Sequence, residues 1–474
     1  MDLFREGAPT NVRDLRGARV HLIGIGGSGM AGLAAMLIRC GARVSGSDMG
    51  SSAATQRLAH LGARILDQST HARLPEDAEL VIASAAIKAG HPELIEAARR
   101  ETRVLKYAEM LGVMMDALEG VAISGTHGKS TTTAWLAFVL RSAGLDPSFV
   151  IGAEVEQLGG GSGVGDGPHF VVEACEYDRS FLNLRPRRAA ILNIEEDHLD
   201  CYSSLAEIEA AFAAFVSQVR EGGLVVTSAD LANCLRTIRD HTPARIESFG
   251  EATDADWRAS AIRVENGAHS FDLHHRGTMF GRVALGLSGR HNVHNALAVA
   301  ALAHDCGVAK KDIISGLQNF TGARRRLELK ARVHGVVVAD DYGHHPTEIR
   351  ATLAAARERY SPKRLWCVFQ PHQHSRTRFL LNDFAHSFAQ ADRVIVPEIY
   401  FVRDSERDRA SVSAVDLVRE IGKAGGNAEF VPNFADIVDK LANEARPGDL
   451  VLTMGAGNIW NVADALVERL RADR

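Results

Sequence analysis

Several things are scarce in this 474-residue chain. It has six cysteines, Cys40, Cys175, Cys201, Cys234, Cys306 and Cys367, and no two lie within three positions of each other. That spacing excludes a CxxC metal or redox pair. Six scattered thiols in a long chain read as a reduced cytosolic protein, not a disulfide framework. No apolar run approaches the roughly 20 residues that span a bilayer, so no membrane insertion is expected. Residues 1–17 are polar and lack an apolar h-region, which argues against a secretory leader. The formal net charge is -5, which gives no electrostatic case for nucleic acid or a membrane surface as partner. No low-complexity tract or fixed-period repeat is present. Lysine is almost missing from the middle of the chain. Between Lys106 and Lys310 only Lys129 occurs, although arginine is frequent there. A cytoplasmic protein is expected.

What is present is ordinary globular material, 46% hydrophobic and 24% charged. At roughly 100–200 residues per domain the length suggests about three domains. A short apolar strand, a Gly-rich or polar turn and an amphipathic helix recur along the chain, which predicts an α/β fold with mostly parallel sheets. The first unit opens with a strand over Arg19–Ile23, a loop over Gly24–Gly29 and a helix over Met30–Arg39. A second strand, Arg43–Ser47, ends at Asp48. Further strands are predicted at Val121–Ser124, Phe170–Glu173, Ala189–Asn193, Leu224–Thr227, Val336–Asp340, Leu365–Phe369 and Leu450–Met454, with a helix over Ser130–Ser142. The segment Glu156–Pro168 holds six glycines and reads as a mobile surface connection. Expected domains are 1–106, 107–326 and 327–474.

The sequence Gly125-Thr126-His127-Gly128-Lys129-Ser130, continuing into Thr131, lies between an apolar strand and a helix, the context a phosphate-binding loop requires. Glycines let the backbone N–H groups turn toward phosphates, Lys129 supplies charge beside the β- and γ-phosphates, and Ser130 offers a hydroxyl to Mg2+. The loop is shorter than GxxxxGK[ST], because Ile123 stands where the first glycine belongs. Mg2+ prefers hard oxygen ligands. Glu173 ends a predicted strand, and His198 follows another, so both are candidate metal ligands at strand ends, where α/β sheets bind ligands.

Gly24-Ile25-Gly26-Gly27-Ser28-Gly29 matches GxGxxG, and Asp48 lies 19 residues after Gly29. By pattern alone this is a dinucleotide fingerprint. The physics says only that a pyrophosphate rests on a helix N-terminus. A nicotinamide-dependent oxidoreductase, a sugar-nucleotide enzyme and a P-loop ATPase acting as a switch therefore all stand at this level. The dehydrogenase leaves the P-loop unexplained.

Eight segments in order, HLIGIGGSGMAGLA, SGTHGKSTTT, EACEYDRSFLNLRP, NIEEDHLD, GRHNVHNALA, GARRRLE, DDYGHHPTEI and FQPHQHSRT, together resemble the Mur ligase family over essentially the whole chain. DDYGHHPTEI and QPHQHSRT look like those of the members that add L-alanine. The resemblance implies three domains: a Rossmann-like UDP-binding domain, a central P-loop domain and a Rossmann-like C-terminal domain. It implies ATP as co-substrate, two Mg2+ ions, UDP-N-acetylmuramate and L-alanine as substrates, and a place in peptidoglycan precursor synthesis. Monomer and homodimer both stay open.

Carried over residue by residue, the resemblance puts Lys129 on ATP phosphates, Ser130 and Glu173 on one Mg2+, and His198 on the second. His291, Asn292 and Asn295 lie near adenine, and Arg326 and Asp341 reach the nucleotide. Gly24, Gly26, Gly27, Ser28, Gly29, Asp48, His71 and Ser84 hold the UDP-sugar. His344, His345 and Arg376 form the amino-acid end, where a planar guanidinium suits a carboxylate and a histidine is expected to take the amine's proton. Many members carry Arg where this chain has Gln373, which leaves more of the carboxylate to Arg376. The carbamylated lysine of several siblings has no candidate here, since no lysine falls between Lys129 and Lys310. Cys175 stands where many relatives have Asp, with no catalytic consequence expected.

Overall fold

The computed structural model describes residues 15–68, 73–84, 86–198, 200–265, 267–402 and 404–472. The fold is α/β, and its three sheet-containing domains fall into two compact units. The first unit is residues 1–194, 209–257 and 298–316, and the second is 195–208, 258–297 and 317–474.

In the first unit, β1 (Arg19–Ile23), β2 (Arg43–Asp48), β3 (Arg64–Asp67), β4 (Leu80–Ala83) and β5 (Arg103–Lys106) form a sheet of order β3-β2-β1-β4-β5. All four pairings are parallel. β1 lies between β2 and β4, so the chain turns to opposite sides after β1 and β4, which opens a crevice at their carboxyl ends. The helix α1 (Ser28–Arg39) leaves that crevice. It starts two residues earlier than the sequence pattern indicated.

A helix α2 (Tyr107–Asp116) leads to the next sheet of this unit. Its strands are β6 (Glu119–Ser124), β7 (Ser148–Val150), β8 (Ser162–Gly163), β9 (His169–Glu173), β10 (Arg188–Ile191), β11 (Leu224–Ser228) and β12 (Arg245–Gly250). They run β12-β11-β10-β6-β9-β7-β8, and only β8 is antiparallel to its neighbour. β6 and β10 are buried along nearly their whole length, as strands covered on both faces must be. The helix α3 (Lys129–Ser142) follows β6 and buries ten of its residues, Trp135 among them, whose indole donates to the Gly316 carbonyl at 3.2 Å.

The glycine-rich stretch 156–168 is not a free connection. It holds a 3-10 turn at Glu156–Leu158 and the edge strand β8. Gly159 and Gly160 have positive φ, and four further glycines stand where a neighbouring group comes too close for any side chain. A Cβ at Gly165 would meet the Asp146 carbonyl at 1.9 Å, one at Gly167 the Leu145 carbonyl at 1.8 Å, and one at Gly163 the Phe149 ring at 2.5 Å. Composition alone cannot separate a glycine chosen for freedom from one chosen for contact. β8 also receives α1: the Ser162 side chain sits against Gly32, and Arg39 pairs with Asp166.

The second unit carries β13 (Trp257–Glu265), β14 (Ala268–His275) and β15 (Thr278–Ala284) in that order, β14 and β15 antiparallel. Its larger sheet runs β16-β17-β21-β18-β19-β20, from β16 (Glu328–Val333), β17 (Val336–Asp341), β18 (Arg364–Phe369), β19 (Arg393–Val396), β20 (Ala428–Phe430) and β21 (Asp449–Met454). β16 is antiparallel to β17 and the rest are parallel. Strand alternation sends Val337, Ala339, Cys367 and Leu452 to one face, where Ile349 and Leu353 of α4 (Pro346–Tyr360) pack. Val338, Trp366, Val368 and Val451 face Val462, Ala463 and Leu466 of α5 (Trp460–Ala472).

Gly167→Ala forces the Leu145 carbonyl to move, and overpacking of this kind costs about 1–3 kcal/mol. The expected result is a lowered melting transition by differential scanning calorimetry. A melt equal to that of the parent protein would show that the stretch yields freely.

Candidate nucleotide and ligation site

The P-loop is built as the strand-to-helix context dictates. Gly125 has φ 137° and Gly128, at the start of α3, has φ 82°, both in the region glycine alone enters readily. A Cβ on Gly125 would lie 3.0 Å from the Leu192 side chain and 3.1 Å from the Asn193 nitrogen. The loop is braced from the end of β10. Asn193 accepts from the His127 N–H at 2.7 Å through Oδ1 and donates to the His127 carbonyl at 3.1 Å, while its own carbonyl accepts from Thr126. Asn193 was read as the last residue of a strand; β10 ends at Ile191, and Asn193 turns to hold the loop instead. Its partners are 66 residues away, which no local pattern reveals.

Lys129 is fully engaged. Its Nζ donates to the carbonyls of Gly125 at 2.7 Å and Thr126 at 2.9 Å, and to Glu176 at 3.0 Å. Burial would lower its pKa, but Glu176, Cys175 and Glu173 outweigh this and raise it, so the ammonium stays charged. Glu176 is the residue sequence reasoning passed over. It stands in EACE, beside the assigned Glu173. Ser130 and Thr131 are buried at the start of α3. Glu173 ends β9 as expected, and its carboxylate accepts from the Gly152 N–H at 2.8 Å. A hydroxyl and a carboxylate are hard-oxygen donors of the kind Mg2+ takes.

At the first crevice, Gly24 (φ 79°) and Ile25 donate to the Ser47 carbonyl at 2.8 and 3.1 Å, and Gly27 donates back to Gly24. Asp48 braces this turn. One carboxylate oxygen accepts from Gly26 at 2.7 Å and the other from Met49 at 2.8 Å. The dinucleotide fingerprint needs that acid on a ribose hydroxyl. Here both oxygens are taken by backbone N–H groups, which weakens the nicotinamide reading. Ser84 follows β4 and lies against Gly24, with Cβ 3.5 Å from where a Gly24 side chain would begin. Gly29 needs its missing side chain for the Tyr107 hydroxyl, which would be 2.6 Å from a Cβ. Ser28 opens α1. His71 lies outside the described residues.

The remaining candidates belong to the second unit. Asp197 accepts twice from Arg376, from Nε at 3.0 Å and Nη2 at 2.8 Å, and both side chains are 7% exposed. Burial would raise the Asp197 carboxyl, but Arg376 and the surrounding His198, His344 and His345 hold it well below the ordinary carboxylate range. The edge of Arg376 assigned to a substrate carboxylate is therefore engaged by a protein one, and Nη1 faces His372. His198 has φ 55° and takes the Asp197 carboxylate on its N–H. Gln373, also left-handed at φ 69°, buries an amide Nε2 that has no hydrogen-bond partner among the described residues.

The two adjacent histidines separate in role. His345 caps α4: Nδ1 accepts from the Thr347 N–H at 3.3 Å, so Nε2 carries the proton it gives to the Glu196 carbonyl at 3.1 Å. Both nitrogens are occupied, which removes it as a proton acceptor. His344 donates from Nδ1 to the Tyr342 carbonyl at 3.1 Å, leaving Nε2 as its basic nitrogen. Burial pushes His344 down to about 4, so it is neutral at pH 7. Asp341 accepts from the N–H groups of Leu327 and Gly343, both at 2.7 Å, and burial pushes it up to about 6. Arg326 lies over the Tyr342 ring at 5.1 Å and near Glu348. Asn295 donates to Asn292 at 3.0 Å and Asn292 to the Ser288 carbonyl at 2.7 Å, both at the start of the helix Arg290–Asp305. His291 is lowered to about 4, first by burial and then by His269 and His294.

A strand–turn–helix with the P-loop sequence and a separate glycine turn, each at the carboxyl end of parallel strands, are the features of a nucleotide-binding α/β protein. Residues 19–118 match the Mur ligase family, catalytic domain, residues 123–303 the Mur ligase middle domain, and residues 325–457 the Mur ligase, glutamate ligase domain. The chain is 42% identical over 456 residues to a UDP-N-acetylmuramate–L-alanine ligase from Pelotomaculum thermopropionicum, covering 96% of this chain and 98% of the relative. Among solved structures, it is similar to a UDP-N-acetylmuramate-alanine ligase from Thermotoga maritima, with TM-score 0.79 and 26% identity over 96% of this chain and 100% of the other. It is also similar to a murein peptide ligase from Psychrobacter arcticus, with TM-score 0.70 and 25% identity over 96% and 99%. The chain belongs to the Mur ligase family.

The depressed histidines carry a pH dependence. The unfolded chain protonates a histidine near 6.5, whereas folded His291 resists until about 4. Stability from this group is present above the unfolded pKa and is lost as pH falls toward 4. Asp341, raised to about 6, acts in the opposite sense. Melting temperatures taken from pH 7 to 4.5 should fall less steeply in His291→Gln than in the parent. Equal slopes would mean that His291 does not titrate between the folded and unfolded states.

Proposed function

We propose that this protein joins L-alanine to UDP-N-acetylmuramate with hydrolysis of ATP to ADP and phosphate, in the cytoplasmic synthesis of peptidoglycan precursors. The observation that carries the proposal is the pairing of two phosphate-binding loops in a chain that matches a UDP-N-acetylmuramate–L-alanine ligase from end to end. One loop suits a sugar-nucleotide pyrophosphate at Gly24–Gly29, and the other suits ATP at Gly125–Thr131. The proposed domains are 1–106 for the sugar nucleotide, 107–326 for ATP and 327–474 for the amino acid and ATP.

A carboxylate is a poor electrophile, so an amide forms in water only after activation. One carboxylate oxygen of UDP-N-acetylmuramate attacks the γ-phosphorus of ATP, the bond to the β-phosphate oxygen breaks, and an acyl phosphate and ADP result. The L-alanine nitrogen then attacks the acyl carbon, the carbon–oxygen bond to phosphate breaks, and inorganic phosphate leaves. The first step needs positioning and charge neutralisation above all. Lys129 supplies fixed charge, and the loop N–H groups hold the phosphates. Ser130 and Glu173 fit one Mg2+ and His198 a second, and the ions would neutralise charge on the phosphoryl oxygens when bound. The attacking amine must shed a proton, and His344 Nε2, unprotonated at neutral pH, is the proposed acceptor. Gln373, with its buried amide donor, supports a contact to the amino-acid carboxylate next to Arg376. His291, Asn292, Asn295, Arg326 and Asp341 are proposed for the adenine nucleotide, and Ser84 and His71 for the UDP-sugar.

Phosphate release from MgATP should require both UDP-N-acetylmuramate and L-alanine. Lys129→Ala should lower the rate by about 10²–10³, the range for losing a preorganised donor to developing charge. Release that ignores the sugar nucleotide, or a Lys129→Ala variant of full activity, would overturn the reading.

A further inference from the structure

The Lys129 ammonium has three N–H donors, and the protein satisfies all three. Two meet the Gly125 and Thr126 carbonyls, and the third meets Glu176, whose two oxygens lie 3.0 and 2.9 Å from Nζ. The lysine and glutamate side chains are 12% and 3% exposed, so water does little to screen the pair. In a phosphate-binding loop the lysine reaches the β- and γ-phosphates. A carboxylate oxygen and a phosphate oxygen compete for the same kind of charge-assisted bond. A nucleotide phosphate therefore cannot take the lysine's third donor until Glu176 yields it.

The segment that carries Glu176 is built to yield. It leaves β9 at Glu173, and just beyond Glu176 two consecutive residues, Asp178 and Arg179, have φ 52° and 53°. Side chains rarely adopt this conformation twice in succession. A turn held against its backbone preference is kept by its surroundings and relaxes when they change. The ion pair is one of the contacts that hold it.

We propose that Glu176 is a positioning residue of the nucleotide site. It serves as the resident counter-ion that holds the Lys129 ammonium in place before ATP arrives, and it lowers ATP affinity because the lysine must be given up. This rests on the P-loop reading of Gly125–Ser130. Both halves follow from one fact. An ammonium buried in this loop is costly without a partner, and any partner good enough to hold it competes with the ligand.

The test is calorimetric titration of the full chain with MgATP, without sugar nucleotide, alongside melting curves. Glu176→Gln keeps the shape and removes the charge. Its nucleotide-free melt should fall, because the lysine loses its counter-ion. Its Kd for MgATP should nonetheless drop by about tenfold, the scale of one competing charge-assisted bond, and its melt should rise more on adding MgATP than that of the parent. A glutamate that only supports the fold gives a lower melt with unchanged or weaker binding, and that result overturns the proposal. Glu176→Asp draws the carboxylate back by one methylene and should shift Kd the same way by less. It carries the test should the Gln variant not fold, and an unchanged Kd there overturns the proposal as well. Lys129→Ala separates the two readings. If it binds MgATP like the parent, the P-loop reading fails. If it loses MgATP while Glu176→Gln gains nothing, the P-loop stands and only the role of Glu176 fails.

Discussion

Where a parallel strand ends, the ladder ends too, and the chain leaves the sheet with N–H and C=O groups that no neighbouring strand takes up. The phosphate loops are answers to that constraint. After β1 the Ser47 carbonyl of β2 still takes Gly24 and Ile25, and beyond them the N–H of Gly26 is met by the Asp48 side chain. After β6 the unpaired groups are met by Asn193 and by the Lys129 side chain. After β17 Asp341 takes the N–H of Gly343, and its other oxygen takes the N–H of Leu327 just ahead of β16. Each loop is thus fixed by a polar side chain from its own strand or an adjacent one. A helix follows each of these loops.

Much of this was legible in the order of residues. The strand over Arg19–Ile23, the P-loop turn, Glu173 at the end of β9 and the apolar runs of β17, β18 and β21 are written in local apolar pattern and glycine placement. What could not be read was the direction of a side chain whose partner is far along the chain. Asn193 serves a loop 66 residues earlier. Asp48 has the spacing of a ribose ligand but turns back on Gly26. His344 and His345 are neighbours of one type, and only the helix that starts at Pro346 decides that the second is a cap and the first keeps a basic nitrogen. The glycines of 159–167 look like slack, whereas carbonyls and a ring lie too near Gly161, Gly163, Gly165 and Gly167 for a side chain.

The buried charges follow the same logic. Asp197 and Arg376, and Lys129 and Glu176, are ion pairs placed where a substrate or nucleotide is proposed to bind. Removing one member of such a pair leaves an isolated charge in a poorly solvated place, so each keeps the other in position. Each pair fixes its own two side chains. They also mean that a ligand's charged group meets a cation that already has a partner, so affinity reports an exchange of partners as much as a new contact.

The way the two units divide the sequence has a consequence for biosynthesis. The first unit is completed by residues 209–257 and 298–316, after the chain has already supplied 195–208 and 258–297 to the second. A ribosome moving at roughly 5–20 residues per second therefore takes several seconds between delivering β10 and delivering the last piece of that unit. Until β11 emerges, β10 is a sheet edge, and an unpaired edge is a template for strands from other chains. The growing chain is therefore most open to mispairing in the stretch between 191 and 224, well before the unit is complete.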